Sequence, residues 1–426
     1  MTIGLFLISL LASIGLSLPI AFALLVSAIV LMVHLGMLDS QILAQNLVNG
    51  TDSYTLLAIP FFLIAGEVMS RGGLSKRIVM LAMSLVGHRK GGLGFVAIFA
   101  AIVMASLSGS AVADTAALAS ILLPMMREAG YPLGRSSGLI ASGGIIAPII
   151  PPSIPLIVIG VAGGISITKL FLAGIVPGLI MGITLVVMWL FMTRKEDLAV
   201  AKKASKAERW EALRKSFWAM LLPVIIIGGI KTGIFTPTEA GVVAAVYAVV
   251  VSTLIYRELA LVDLYKVLGQ AGRNTAVVMF LIAAAGVASW LISIAQLPML
   301  VADLLSPLVE KPKLLMLAIM AIVLLIGMVM DLMPTILVLT PILMPLVKMA
   351  GIDPVYFGIM FVLNCAIGLI TPPVGNVLNV ITSVGQLKFE KAVAGVIPFV
   401  LAYGVILLIF IAFPQIITAP LGWLSQ

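Results

Sequence analysis

Charge is what this sequence has least of: Asp, Glu, Lys and Arg make up 10% of its 426 residues, against 62% hydrophobic. Apolar runs of about 15 to 30 residues recur from end to end, which leaves no stretch polar enough for a soluble domain and points to a polytopic membrane protein. Alternating strand patterns are absent, and backbone in hydrocarbon must hydrogen-bond within its own segment, so helices are the expected element. A single cysteine, Cys365, lies in an apolar run. It excludes a disulfide framework within the chain, argues against a thiolate metal site, and reads as packing. His34 and His88 sit beside loops and form no cluster for a transition metal. No HExxH, GxSxG or acid-rich prenyl-diphosphate motif argues for a membrane enzyme, and no P-loop argues for ATP. The formal charge of +8 is not a nucleic-acid signal, because the basic residues lie between apolar spans with no aromatic-basic patch. The N-terminal run lacks a basic n-region and a small-residue cleavage site, so it is expected to be membrane helix and not signal peptide.

What is present is a duplication. A shift of 221 residues, without a gap, lays Pro124 on Pro345, Gly130 on Gly351, Pro151 and Pro152 on Pro372 and Pro373, Gly174 on Gly395 and Pro177 on Pro398. It also sets the tip Ser106 to Ser110 opposite Gly327 to Asp331, and APIIPPS opposite GLITPPV. In both copies helix-breaking residues interrupt apolar runs at membrane depth.

In chain order, helices are expected at 2–16 and 19–34, then an external loop at 35–54 that has two acids and no cation. Residues 55–69 cross inward. The run 91–105 is too short for a comfortable span and ends in SLSGS, so 91–126 reads as a re-entrant hairpin tipped near the midplane. Residues 137–164 form a broken helix and 169–193 a return, completing a first repeat at 1–193. A basic stretch at 194–216 reads as a cytoplasmic amphipathic linker on the anionic inner leaflet. The second repeat, 217–426, holds helices at 217–230, 238–256, 275–296 and 392–414, a hairpin at 313–347 and a broken helix at 355–385. Five crossings per half invert one half relative to the other. This topology puts 20 of the 25 Lys and Arg inside and five outside (Lys169, Lys231, Lys311, Lys313 and Lys348).

Inverted repeats whose discontinuous helices meet at the midplane are a way of building ion and substrate sites, because unwound backbone frees carbonyls for Na⁺ while half-helix N-termini attract anions. At the first tip Ser106, Ser108, Gly109 and Ser110 offer oxygen and close-approach backbone, facing Gly143, Gly144 and the break from Pro148 to Ser153. At the second, Gly327 to Asp331 faces Gly368, Thr371 and residues 372–376, where backbone carbonyls are expected to dominate. Tight helix packing is the competing reading of these small residues. Asp114 and Asp331 are ionisable groups at membrane depth, read either as site support or as helix caps. Thr335, Asn364 and Asn376 are polar groups near the same breaks. Glu67 and Glu239, near helix ends, are expected to cap or snorkel.

These residues resemble the large membrane subunit of tripartite ATP-independent periplasmic (TRAP) transporters. The likeness rests on SLSGSAVADTAALASILLP, IAPIIPPSIP, FTPTEAGVVAAVYA, the GMVMDLMPT and TPILMP segments, and GLITPPVGNVLNV, and it covers nearly the whole chain. The resemblance implies an elevator-type carrier in which a domain holding both hairpins moves against a fixed scaffold. It implies Na⁺ coupling, a small four-helix membrane subunit on a separate polypeptide, a periplasmic substrate-binding protein that delivers an organic acid, and residence in the cytoplasmic (inner) membrane. Carried over, the first Na⁺ site falls at Ser106, Ser110, Gly144 and Pro148, and the second at Gly327, Gly368, Thr371 and Val374. Ser108, Asp114, Asp331, Thr335 and Asn376 are then substrate-facing or supporting. Ala147 stands where Gly368 stands in the other copy, so the repeat is imperfect. A stand-alone sodium:dicarboxylate carrier of the same fold and a channel are the alternatives. C4-dicarboxylates, sialic acid, other sugar acids and 2-oxo acids are the candidate cargoes.

Overall fold

The computed structural model describes residues 2–424, apart from 195, 197, 199–201, 298, 300 and 302–307. The described residues are helical or irregular, with no strand among them. The first half runs through α1 (Thr2–Gly15), α2 (Ile20–His34), α3 (Ser40–Thr51), α4 (Ala58–Arg71) and α5 (Leu74–Val86). It continues with α6 (Gly92–Ser108), α7 (Ala111–Glu128), α8 (Leu133–Gly144), α9 (Ile154–Gly163) and α10 (Ile167–Thr193). The second half holds α11 (Lys206–Lys231), α12 (Pro237–Val250), α13 (Leu261–Ile294), α14 (Pro312–Gly327) and α15 (Leu332–Met349). It ends with α16 (Pro354–Gly368), α17 (Asn376–Gly385), α18 (Phe389–Ala412) and α19 (Gln415–Leu424).

The duplication holds in three dimensions. The 221-residue shift carries α7 onto α15 end for end, and both proline pairs, Pro151-Pro152 and Pro372-Pro373, have cis peptide bonds. The hairpins are α6 with α7 and α14 with α15. Gly109, at φ +62°, turns the first tip, and Ser110 caps α7 by accepting the Ala113 N–H at 3.3 Å. The broken helices are α8 with α9, parted at 145–153, and α16 with α17, parted at 369–375.

Several expectations are corrected. The external loop at 35–54 contains α3, started by Asp39, whose carboxylate accepts the Gln41 N–H at 2.7 Å. Its polar composition hid it as a helix. After α4 comes α5, whose cationic sequence masks an apolar stripe of Leu74, Ile78, Val79, Leu81 and Ala82. The boundary expected at 216 lies inside one continuous helix: α11 opens with a capping box of Ser205 and Glu208 and runs from the basic segment into the apolar one. Part of the 194–216 linker falls outside the described residues. The crossing expected at 275–296 belongs to the 34-residue α13, the first broken helix starts at 133, and α19 follows the expected end at 414. Seven described helices are individually long and apolar enough to cross a membrane, while α1, α2 and the broken halves are shorter.

Packing sorts the helices into two groups. The first contains α1 to α5 and α11 to α13: α4 packs on α12 and α13, α2 and α3 on α13, and α5 on α11, while α5 also packs as closely on the hairpin helix α6, and α13 touches α15 across the boundary. The second contains the hairpins, the broken helices, α10 and α18. Here the halves interlock, since α17 packs on α7 and α9 packs on α15. A Cβ on Gly385 would lie 2.8 Å from Leu123, and one on Gly163 would lie 2.8 Å from Met344. Leu123 and Met344 are repeat mates, so the interlock is reciprocal. Arg127 at the end of α7 donates to the Gly385 carbonyl at 3.0 Å, placing a cation at the C-terminus of α17. The closest joint is α8 on α18, where a Cβ on Gly138 would stand 2.2 Å from the Gly395 carbonyl oxygen.

Candidate functional site

Each hairpin tip abuts the break in its own half. At the first, a Cβ on Gly109 would lie 2.7 Å from the Pro152 carbonyl oxygen, which is the physical reason for glycine there beyond its positive φ. Around it, Ser106 Oγ donates to the Val103 carbonyl at 2.7 Å, and Ser153 Oγ donates to the Pro148 carbonyl at 2.5 Å. The Gly144 carbonyl accepts from the Ala147 N–H at 3.2 Å. The Gly144 and Pro148 carbonyls each keep a second lone pair, whereas the Val103 carbonyl also lies in the hydrogen-bond ladder of α6. At the second tip Gly327 lies against Cys365 and Gly368, and a Cβ on Gly368 would stand 2.7 Å from the Gly327 carbonyl oxygen. The Val374 and Gly375 N–H groups point at the Met328 carbonyl, at 3.4 and 3.5 Å. Thr371 Oγ1 donates to the Ile367 carbonyl at 2.7 Å.

The structure thus sets Gly109 of the first tip against Pro152 and Ser153, and Gly327 and Met328 of the second against Gly368, Val374 and Gly375, while Ser106, Ser110 and Thr371 make hydrogen bonds within their own segments. It treats the supporting residues differently. Asp114 is not a cap: Ser110 holds that position, and the Asp114 carboxylate instead accepts the Ser108 hydroxyl at 2.5 Å. Asp331 has the cap position of α15, yet its side chain makes no cap hydrogen bond. Thr335 turns its hydroxyl back onto the Asp331 carbonyl at 2.8 Å, as a helical threonine does. Asn364 is fully buried, donates to the Met320 carbonyl at 2.5 Å and leaves its Oδ1 without a partner. Asn376 opens α17 beside Gly375, which is held at φ +54°.

Thr115 and Asn274 escaped the sequence reading, and Glu67 was read for a different role. Thr115 is fully buried, its hydroxyl has no partner, and it presses against Gly144 so closely that no side chain would fit there. Glu67, expected to cap or snorkel, accepts the Asn274 amide at 2.9 Å. Together with Ser108, Ser110 and Asp114, Glu67 and Asn274 line a cavity of about 130 Å³ between the first hairpin and helices α4, α5 and α13. A helical wheel could have flagged Thr115, one residue beyond Asp114. The Glu67 to Asn274 bond spans 207 residues of sequence and carries no local signal. Glu239 does cap: it forms a capping box with Thr236 at the start of α12.

Among the described residues, no three of His, Cys, Asp and Glu cluster as a metal centre would require. The groups at the tips are all oxygens, two of which, on Thr115 and Asp114, are buried and unpartnered, and such a set suits a hard cation.

Helical hairpins that meet broken helices set this architecture, and a solved structure shares the fold. It is the Alcanivorax borkumensis YdaH transporter, described as having an unusual topology, at a TM-score of 0.65 and 15% identity over 87% of each chain. The family is decided by sequence: residues 7–416 match the family described as the tripartite ATP-independent periplasmic transporter, DctM component. The 2,3-diketo-L-gulonate TRAP transporter large permease protein YiaN of Escherichia coli is 59% identical over 425 residues, covering 100% of both chains. The sialic acid TRAP transporter large permease protein SiaM of Vibrio cholerae is 38% identical over 397 residues, 93% of each chain. This chain belongs to the DctM family of TRAP transporters, as a multi-pass large permease.

Proposed function

We propose that this protein carries an organic acid across the bacterial inner membrane by Na⁺-coupled, elevator-type alternating access. A periplasmic binding protein delivers the acid, and a small membrane subunit braces the scaffold. The observation that carries the reading is the cavity at the boundary of the two helix groups, walled on one side by a hairpin tip and on the other by α4 and α13. A site that changes sides needs such a boundary, and the interlock of α7 with α17 and of α9 with α15 lets both tips move as one body. Na⁺, when bound, would be held by the tip oxygens: Ser106, Ser110, Gly144 and Pro148, with Thr115 added, and Gly327, Gly368, Thr371 and Val374. It supplies positive charge beside an anionic cargo.

The identity to the diketogulonate permease over both full lengths favours a keto sugar acid over sialic acid or a C4-dicarboxylate as cargo. The test is uptake into proteoliposomes holding both membrane subunits and supplied with the binding protein. Uptake of radiolabelled 2,3-diketogulonate is expected to require an inward Na⁺ gradient and no ATP. Equal uptake with the gradient collapsed would overturn the coupling. Uptake of C4-dicarboxylate alone would overturn the cargo.

A further inference from the structure

Two carboxylates reach the same cavity from opposite sides of the boundary. Asp114, on the returning arm of the hairpin, is only 2% exposed. Its Oδ1 accepts the Ser108 hydroxyl, while its Oδ2 is buried without a partner. From α4, Glu67 presents a carboxylate held in place by Asn274. Ser70 and Ser75 add hydroxyl oxygens, and neither Lys nor Arg lines the cavity.

A buried carboxylate with a bare oxygen is strongly unfavourable unless it takes up a proton or a positive charge meets it. No side chain provides one here. The tip packs against α4 beside this cavity, since a Cβ on Gly66, next to Glu67, would lie 3.8 Å from the Ser108 Cβ. At about 130 Å³ the space holds a cation with a few of its waters. The donors are oxygens, as a hard cation prefers.

We propose that this cavity is a binding site for a small monovalent cation shared between Asp114 and Glu67, separate from the oxygens where the tips meet their breaks. The ion ties the hairpin to the scaffold. An organic anion entering the crevice would otherwise face two negative groups, so the cation precedes it. That ordering rests on the proposed transport function, whereas the binding of the ion does not.

The test is equilibrium binding of ²²Na⁺ to the purified full chain in detergent, with no transport measured, so a failure of coupling and a failure of this site stay distinguishable. Wild type is expected to bind one more Na⁺ than Asp114→Asn, and Glu67→Gln is expected to weaken that ion at least tenfold. Gly404→Ala, which meets nothing within 4 Å and lies in neither proposed site, leaves Na⁺ binding unchanged. Should Asp114→Asn fail to fold, Glu67→Gln decides alone, with helical content checked by circular dichroism. Wild-type stoichiometry and affinity in both variants would overturn the site. So would a loss confined to Asp114→Asn with Glu67→Gln unaltered, because the site requires both carboxylates.

Discussion

Thr115 illustrates what a single buried hydroxyl reports. Its Oγ1 sits beside Gly144 with no hydrogen-bond partner, a condition that costs about 1–3 kcal/mol in a folded protein. Thr115→Val removes the hydroxyl and retains the branched shape. In Na⁺-free buffer the variant is expected to unfold at the wild-type temperature or slightly above it. Added Na⁺ should stabilise it less than wild type. Equal Na⁺ stabilisation in both proteins, read by thermal shift, would remove Thr115 from the ion's surroundings. Ser110→Ala is a less clean probe, because it also removes the cap of α7, worth about 1 kcal/mol.

Close approach of helices is the device that recurs among the elements. Helix α8 meets α18 through Gly138 and Gly395, backbone against backbone, as small residues permit where lipid offers no hydrophobic drive between helices. Gly138→Ala would push a methyl to 2.2 Å from the Gly395 carbonyl oxygen. The helices must part, at a cost of at least about 1–3 kcal/mol. Gly404→Ala on the same α18 meets nothing within 4 Å and serves as the control. A melting temperature lowered by several degrees in the first variant and unmoved in the second is the expected pair of results. Equal values would mean that α18 shifts freely against α8.

For the whole molecule the feature to test is the boundary between the two groups of helices, because the proposed alternating-access motion would cross it. A Cβ on Gly66 would lie 3.8 Å from the Ser108 Cβ, within the span of about 3.5–4.5 Å typical of a disulfide. The double variant Gly66→Cys with Ser108→Cys, in a Cys365→Ala background, is therefore expected to cross-link on oxidation. Uptake should stop when oxidised and return on reduction with dithiothreitol, which separates trapping from the effect of the substitutions themselves. Unchanged uptake by fully cross-linked protein would show that the first hairpin and α4 do not separate during transport.

Much of this was legible in the chain. The membrane class follows from the shortage of charge, and the hairpins and breaks follow from the gapless 221-residue repeat, since Pro and Gly disrupt helices by local chemistry. The capping boxes at Ser205 and Thr236 are local in sequence but were not read there, and the first of them moved the start of α11 well before residue 216. The amphipathic α5 and the polar α3 were hidden, because their cations and amides resemble loop composition until a neighbouring helix covers one face. Only the tertiary structure decided that α17 locks onto α7 and α9 onto α15, that Asp114 binds Ser108 and does not cap, and that Glu67 meets Asn274 at the edge of the same cavity. Those pairings join residues distant in sequence. They are chosen by helix packing and by the need to satisfy polar groups away from water, and neither leaves a periodic trace along the chain.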